Sequence, residues 1–310
     1  MSHQRQSRLE SIVRAAKYTA VTLAFTLLPS TTVSTPDINP LKSLPAEAAM
    51  SELGKAHQLL LDFPRAYKIP GIKEVYKFEN PEANFLLVYF STGYHPKEEM
   101  SRSYRNVIIN VNNDIYKAFA CLQEKYNLKD VYKEAVTDEN WLDYHRSVES
   151  AWLSIELKKL FDEMKRSGDK HLLPSRNVMR RFNRSYNEQI EELKYDIVKR
   201  IAVEKDVTVF PAEDAAINKK AGDLLRAAWS DDEIYREALD TVFRKRELQF
   251  LKEGTFSGDP LVVIFFGRGH ARGLEESSLV KSIKEWNSDP ENKYEQYCAV
   301  ILTPEHYPEK

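Results

Sequence analysis

Residues 261–270 read LVVIFFGRGH: six consecutive apolar residues lead into a glycine-rich turn that ends in a histidine. An uninterrupted apolar run of this length is typical of a strand buried on both faces, as in a parallel sheet that helices cover on each side. A second run of the same kind, FLLVYF at residues 85–90, leads into STGYH at residues 91–95. The two runs predict two equivalent strands, each followed by a turn that carries a histidine.

Each predicted strand is followed by a helical pattern and then by another strand. After the first strand, apolar residues recur at spacings of three and four between residues 107 and 126, and DVYKE at residues 130–134 forms a short strand. A proline and two glutamates within residues 96–99 suit the first turn of this helix. After the second strand we expect a helix near residues 275–287 and a strand, YCAVIL, at residues 297–302.

The segment between these two halves, residues 139–250, has a mostly helical pattern with one short strand at residues 207–210. The sequence therefore predicts an α/β fold with a mostly parallel central sheet, built from two similar βαβ halves with a large helical insertion between them. Each strand–helix–strand unit also predicts that the two strands it joins form a parallel pair. We expect residues 50–310 to form a single domain.

The N-terminal residues 1–49 are predicted to lie outside this domain. Residues 1–17 contain four basic residues and one acid, and an eleven-residue stretch without charge follows at residues 18–28. This layout is typical of a secretory signal, and the apolar run is shorter than the roughly 20 residues that span a bilayer. A cleavage site at residues 46–48, an uncleaved membrane anchor and an organellar transit peptide all remain open. We expect an exported or membrane-anchored protein, with an organellar location as the alternative.

The overall composition excludes some classes of protein. The 310 residues include 45 basic and 47 acidic side chains, so the chain lacks the basic excess that a nucleic-acid partner requires. Apolar residues make up 42% of the chain, which supports a sizeable core. Cys121 and Cys298 are the only cysteines, too few for a disulfide framework or a cysteine-rich zinc site. They could form one bridge, but burial as small apolar residues is the favoured interpretation.

Polar side chains follow the predicted strands at equivalent places. His95 and His270 lie five and four residues beyond the last apolar strand residue, while Glu134 and Glu213 close two other strands. Ligands of open parallel sheets bind beyond the carboxyl ends of the strands, so these four residues are candidate site residues. A carboxylate there could be a metal ligand or a general base. The alternatives are solvated loop histidines and carboxylates that cap helices. We interpret the remaining histidines, including His306, as surface residues.

A charged run, RKRE at residues 244–247, interrupts an otherwise apolar helix. One interpretation is a solvated helix face with ion pairs three residues apart. The other is functional, because Gly254, Gly258 and Pro260 let the chain turn back toward the strand at residues 261–266. That turn would bring Arg246 to the cleft at the carboxyl end of the strand.

These motifs, in this order, resemble the superfamily that contains TraB/Tiki proteins, erythromycin esterases and ChaN-like haem-uptake proteins. The resemblance covers about residues 85–304, and four short segments carry it: residues 91–96 (STGYHP), 132–135 (YKEA), 244–247 (RKRE) and 267–270 (GRGH). The second histidine motif matches fully. In place of the usual Glu-Gly after the second strand, this chain has Glu134 followed by Ala135.

The superfamily includes metal-dependent proteases, esterases that need no metal and haem binders. The resemblance implies a metal-dependent hydrolase of a peptide or ester bond, acting on a small-molecule or peptide substrate. His95, His270, Glu134 and Glu213 would hold zinc, manganese or cobalt, Glu134 would be a ligand or base, and Arg246 would stabilise an oxyanion. The alternative is a ChaN-like protein that binds haem or another ligand without catalysis, for which Tyr94 beside His95 is a candidate iron ligand.

Overall fold

The computed structural model describes residues 55–92, 101–168, 173–227, 232–255 and 259–307. The chain divides into two compact units. One includes Ser147–Leu193 together with Met1–Lys42, of which the latter lies outside the described residues. The other comprises Ser43–Arg146 and Lys194–Lys310. The predicted export signal or anchor, residues 1–49, also lies outside the described residues, and export or membrane attachment stays a prediction.

The described elements alternate strands and helices in the second unit, while the first contains helices. The strands are β1 (Ile72–Phe78), β2 (Phe85–Thr92), β3 (Asp130–Thr137), β4 (Thr208–Glu213), β5 (Leu261–Gly267) and β6 (Tyr297–Pro304). The α-helices are α1 (Lys55–Leu61), α2 (Arg102–Tyr126), α3 (Trp141–Ser167), α4 (Arg176–Tyr195), α5 (Ile197–Lys205), α6 (Ala215–Ala227), α7 (Asp232–Thr255) and α8 (Ser278–Ser288). Within the described part of the chain, no helix is both long enough and apolar enough to cross a bilayer.

The strands form one six-stranded sheet in the order β1-β6-β2-β5-β3-β4. The β6, β2, β5, β3 and β4 strands run parallel to their neighbours, and β1 pairs antiparallel with β6 at one edge. The predicted α/β fold with a mostly parallel sheet is therefore confirmed. The predicted strands at residues 85–90, 130–134, 261–266 and 297–302 lie within strands of the structure, and the one predicted at residues 207–210 begins one residue later, at Thr208.

The predicted pairing within each βαβ unit is wrong. β5 lies between β2 and β3, and β2 lies between β5 and β6, so the two units interleave instead of lying side by side. Apolar strands buried on both faces fit many neighbours, and their sequences therefore do not specify strand order. The edge strand β1 was not predicted, because lysine and glutamate interrupt its apolar positions.

Helices cover both faces of the sheet. On one face, Tyr89 of β2 and Phe266 of β5 belong to the same buried cluster as Phe250 of α7 and Leu279 of α8. On the other face, the rings of Phe90 and Phe265 stack with centroids 4.9 Å apart, and Phe119 of α2 contacts both. Burying an aromatic or leucine side chain contributes about 1.5–3 kcal/mol, so these two layers hold the strand ends in place.

Side-chain caps fix the beginnings of two helices. Ser101 accepts a hydrogen bond from the Tyr104 backbone N–H and begins α2, whereas the earlier start predicted at residues 96–99 lies outside the described residues. Asp196 accepts a bond from the Lys199 N–H and begins α5, directly after α4 ends. Capping of this kind stabilises a helix by about 1 kcal/mol.

The edge strand β4 is shielded by the first turns of α3. The carbonyl of Val209 accepts a hydrogen bond from Trp141 Nε1 at 2.7 Å and lies 2.9 Å from His145 Nε2. Occupied edge carbonyls are poor templates for pairing with another chain. In the other unit, Phe161 and Phe182 contact edge to face with centroids 5.1 Å apart.

The two cysteines are free thiols. Cys298 is buried in β6, as predicted, whereas Cys121 is partly exposed on α2. Burial raises the pKa of the Cys298 thiol to about 12, so this side chain stays uncharged and acts as a small apolar residue.

Candidate active site

Three neighbouring strands place polar groups at their carboxyl ends. Glu134 lies near the end of β3, Glu213 is the last residue of β4, and Gly267 is the last residue of β5. Arg246 of α7 and His270, in the short helical turn Arg268–Ala271, complete the cluster. We call these five residues and Glu247 the strand-end cluster.

Arg246 joins the two carboxylates of the strand-end cluster. Its Nε donates to Glu213 Oε1, and its Nη2 donates to Glu134 Oε1 at 2.8 Å. The Gly267 N–H donates to Glu134 Oε2 at 2.5 Å, and the Ala135 N–H donates to Glu213 Oε2 at 2.9 Å. Every oxygen of the two carboxylates therefore accepts a hydrogen bond from a fixed donor. Hydrogen bonds between charged groups are about twice as strong as neutral ones, so this arrangement is rigid.

The local backbone explains how the carboxylates obtain these donors. The pairing of β3 with β4 shifts register between Lys133 and Thr137, and Ala135 within this bulge has a φ of 65°. This left-handed conformation directs the Ala135 N–H to Glu213. At Gly267, a Cβ atom would lie 3.0 Å from Glu134 Oε2, so any other residue would require the carboxylate to move by a few tenths of an ångström.

The charged groups of the strand-end cluster shift one another's pKa values. Burial alone would raise the pKa of Glu134, but His270, Arg246 and the Gly267 N–H together lower it below its ordinary value. For Glu213, burial and the nearby Glu134 raise the pKa despite the opposing effect of Arg246. Burial tends to lower the pKa of Arg246, but the two carboxylates outweigh it and raise the pKa. Glu134 is thus the more firmly ionised carboxylate of the pair.

His270 is held by a fully buried carboxylate. Its Nδ1 lies 2.7 Å from Glu247 Oε1, and the other oxygen of Glu247 accepts hydrogen bonds from Ser278 Oγ at 2.8 Å and Ser282 Oγ at 2.7 Å. An acceptor-only carboxylate assigns the proton of a neutral imidazole to Nδ1, which leaves Nε2 with its lone pair. The imidazole is therefore fixed in position and in tautomer.

The second nitrogen of His270 has no hydrogen-bond partner among the described residues. His270 is 1% exposed, and its buried Nε2 lies 3.9 Å from Glu134 Oε1. The rings of Phe243 and Phe266 contact the imidazole edge to face, with centroids 4.4 and 4.6 Å away. An unpaired polar atom in an apolar setting costs free energy, and such groups concentrate at functional sites.

Tyr89 supports the cluster from the centre of the sheet. Its hydroxyl donates to the Gly267 carbonyl at 2.6 Å, on the same residue whose N–H holds Glu134. Burial, with the nearby Glu134 and Glu247 carboxylates, raises the pKa of the Tyr89 hydroxyl well above its ordinary value. Tyr89 is therefore a permanent donor that fixes the Gly267 peptide.

The structure brings together four of the six residues predicted from sequence: Glu134, Glu213, Arg246 and His270. The other two, Tyr94 and His95, lie outside the described residues. The roles assigned to all six stay predictions.

Sequence reasoning gave no role to Glu247, Ser278 or Ser282, although these residues hold His270. The sequence did contain a signal. Ser278 and Ser282 are four residues apart on α8 and so share a helix face, and Glu247 directly follows Arg246 in the charged run.

The described side chains do not by themselves complete the predicted metal site. His270 Nε2 and Glu134 Oε1 are two suitable donors, but the Arg246 guanidinium already pairs with both Glu134 and Glu213. A catalytic metal ordinarily has at least three protein ligands, and no group of three His, Cys, Asp or Glu side chains with that geometry occurs within the described ranges. Zinc, manganese or cobalt binding stays a prediction, as does haem binding through Tyr94, and no step below depends on either.

Comparisons with known proteins found no matching family model, no similar curated protein and no similar solved structure. The resemblance to the TraB/Tiki, erythromycin-esterase and ChaN-like superfamily therefore stays a prediction from sequence. The class of site is defined by its own chemistry: a buried carboxylate–histidine pair beside an arginine held by two carboxylates.

Proposed function

We propose that this protein is a hydrolase of a peptide or ester bond and that His270 is its general base. The observation that carries the proposal is the buried Nε2 of His270, which has no partner among the described residues while Nδ1 is held by Glu247. A base oriented by a third group is the common arrangement of hydrolases that activate a nucleophile.

The gap between His270 and Glu134 suits a reacting water. A water oxygen can lie about 2.8 Å from both Nε2 and Oε1, since these atoms are 3.9 Å apart. Nε2 would take a proton from this water as its oxygen attacks the carbonyl carbon of the substrate. The C–N or C–O bond then breaks, and the proton on Nε2 passes to the leaving amine or alcohol.

Glu247 and Glu134 have different parts in this reaction. Glu247 would stabilise the imidazolium that forms when Nε2 takes the proton, because its carboxylate already contacts Nδ1. Glu134, which accepts hydrogen bonds from Arg246 and from the Gly267 N–H, would accept the second hydrogen bond of the water and orient its lone pair. These two carboxylates therefore hold the base and the nucleophile, respectively.

Arg246 supplies positive charge beside the reacting group. The described hydrogen bonds use its Nε and Nη2, and the guanidinium carries two further N–H groups on Nη1. Oxyanion donors fixed before the reaction contribute several kcal/mol to catalysis. The double anchor on Glu134 and Glu213 supports this role, because it holds the guanidinium still.

The test compares hydrolysis by the full-length protein and two histidine variants, using 4-nitrophenyl esters and a quenched fluorescent peptide mixture. We expect His270→Gln to lower kcat/KM by at least about 100-fold, since general base catalysis contributes about 10²–10⁴-fold. His306→Gln is the matched control, because His306 also pairs with a carboxylate but lies outside the strand-end cluster. Equal rates for the parent and His270→Gln would contradict the proposal. Repeating the assay with a chelator, then with added zinc, manganese or cobalt, tests the metal requirement that the resemblance implies.

A further inference from the structure

A cavity of about 250 Å³ is lined by Ala271 and by other residues outside the strand-end cluster. Its walls are the ends of β1, β6 and β2 and the turn that follows His270. The lining includes apolar, polar and charged residues, among them Leu274, Ile301, Ser91, Lys73, Glu74 and Arg272. A mostly concave site with a few convergent polar groups is the usual form of a small-ligand pocket.

The charges on the wall favour a singly charged anion. Lys73 and Arg272 are cationic and Glu74 is anionic, so the lining carries one net positive charge. Arg272 is exposed and forms no hydrogen bond or ion pair with another described residue. An arginine fork matches the two oxygens of a carboxylate, and a single net charge suits a carboxylate better than a phosphate dianion.

The cavity and the proposed base share one short segment of chain. Ala271, which lines the cavity, directly follows His270. Gly273 and Leu274, which also line it, have positive φ values of 85° and 49°. A left-handed leucine is strained, and strained backbone concentrates at ligand sites. This turn presents Arg272 on the cavity wall within two residues of His270.

We propose that this cavity binds a carboxylate group of the substrate, so that the preferred substrates are anionic esters or peptides whose carboxylate binds Arg272. This inference rests on the proposed hydrolase function. It adds the substrate class: compounds that carry a free carboxylate a few bonds from the scissile carbonyl.

The experiment measures kcat/KM of the full-length protein for two matched esters, 4-nitrophenyl butyrate and mono-4-nitrophenyl glutarate. We expect the parent to prefer the glutarate ester by at least about tenfold, because a charge-assisted hydrogen bond contributes about that factor. Arg272→Gln should remove this preference, because it should lower kcat/KM for the glutarate ester by at least about tenfold more than for the butyrate ester. The matched control is Arg184→Gln, an exposed arginine of α4 whose replacement should preserve the preference.

The possible results separate this inference from the proposed function. If both esters are hydrolysed without preference, or if Arg272→Gln slows both equally, the cavity proposal is overturned while the hydrolase proposal stands. If neither ester is hydrolysed, the proposed function fails for these substrates. Titration calorimetry with glutarate then tests whether the cavity binds a carboxylate. Glutarate binding that is lost in Arg272→Gln supports the carboxylate site. Absence of binding to the parent overturns it.

Discussion

Among the described residues, two histidine–carboxylate pairs have the same contact distance and different surroundings. His270 Nδ1 and His306 Nδ1 each lie 2.7 Å from a buried carboxylate, Glu247 and Asp114 respectively. The side chain of His306 is 52% exposed, whereas that of His270 is 2% exposed. Asp114 also accepts the His306 backbone N–H at 2.9 Å, so this pair ties the end of the chain to α2.

The comparison shows that a short contact alone does not define a candidate site. Around His270, burial removes competing water and leaves Nε2 facing Glu134. Around His306, the ring is about half exposed, and Asp114 contacts both its Nδ1 and its backbone N–H. The following predictions test this difference, from the largest expected effect to the smallest.

Replacing the carboxylate of each pair should separate the two regions most clearly. Glu247→Gln removes the negative charge beside His270 and replaces one of the two acceptor oxygens by an NH2 donor, so we expect kcat/KM to fall by about 10³–10⁴-fold. The free energy of unfolding should fall by about 3 kcal/mol, because buried donors lose their partner. Asp114→Asn keeps one acceptor oxygen and should cost about 1–2 kcal/mol, with unchanged hydrolysis. Ester hydrolysis and urea unfolding measure both quantities, and similar losses of activity in both variants would refute the distinction.

Two arginines of α7 allow a largely buried ion pair to be compared with an exposed one. The Arg246 side chain is 11% exposed between two carboxylates, whereas that of Arg244 is 54% exposed and pairs with Glu285. We expect Arg246→Lys to lower the free energy of unfolding by about 2–3 kcal/mol, because lysine cannot hold both carboxylates as a fork. Arg244→Lys should change it by less than about 0.5 kcal/mol. Equal effects in urea titrations would mean that the double anchor of Arg246 adds nothing.

The two carboxylates of the strand-end cluster should respond to pH with opposite signs. The folded-state pKa of Glu134 is lowered from the ordinary 4.5, so its stabilising contribution is present above that pH and is lost as the pH falls through the folded pKa. That of Glu213 is raised from 4.5, so its contribution is present below that pH and is lost as the pH rises through the folded pKa.

Urea titrations across pH 3–8 should reveal both contributions as differences between the parent and single variants. On acidification below 4.5, the parent should lose stability relative to Glu134→Gln. On raising the pH above 4.5, it should lose stability relative to Glu213→Gln. Each slope is at most about 1.4 kcal/mol per pH unit. Differences of the same sign for both variants would contradict the assignment.

The smallest expected effect concerns the bulge in β3, where the Ala135 N–H donates to Glu213. Because Ala135 has a φ of 65°, Ala135→Gly should raise the free energy of unfolding by about 1 kcal/mol. The matched control is Ala221→Gly, a buried position within α6, where glycine should lower it by about 1 kcal/mol. A thermal melt of each variant measures the sign, and a fall for Ala135→Gly would show that the left-handed conformation is not strained.

The class of fold could be predicted from the sequence because the central strands β2, β5 and β6 contain uninterrupted apolar runs. The sequence predicted the general place of the cluster because parallel strands bring their carboxyl ends to one edge, which unites Glu134 and Glu213. The order of the strands was not predictable, since β2 could pair with any apolar strand. The edge strand β1 was not predicted, because Ile72 is the only one of its residues that is buried.

The details of the site depended on contacts that no local pattern encodes. The charged run at residues 244–247 permitted either a solvated face or a cleft, and the structure divides it: Arg244 is exposed and Arg246 is buried. The partner of His270 lies 23 residues earlier in the chain, on a different element. Only the packing of α7 and α8 against β5 brings Glu247 and the two serines to the imidazole.

The interleaved strand order has a consequence for the synthesis of the protein. The central strand β2 hydrogen-bonds only to strands made much later: Leu86 pairs with Leu261, and Phe85 pairs with Tyr297. A chain emerging from the ribosome therefore leaves the apolar run at residues 85–90 without its strand partners until residues 261–302 have been made. Topologies with such distant pairings fold slowly and leave aggregation-prone surface uncovered in the meantime. The centre of the sheet is therefore completed only once residues 297–302 are available to pair with β2.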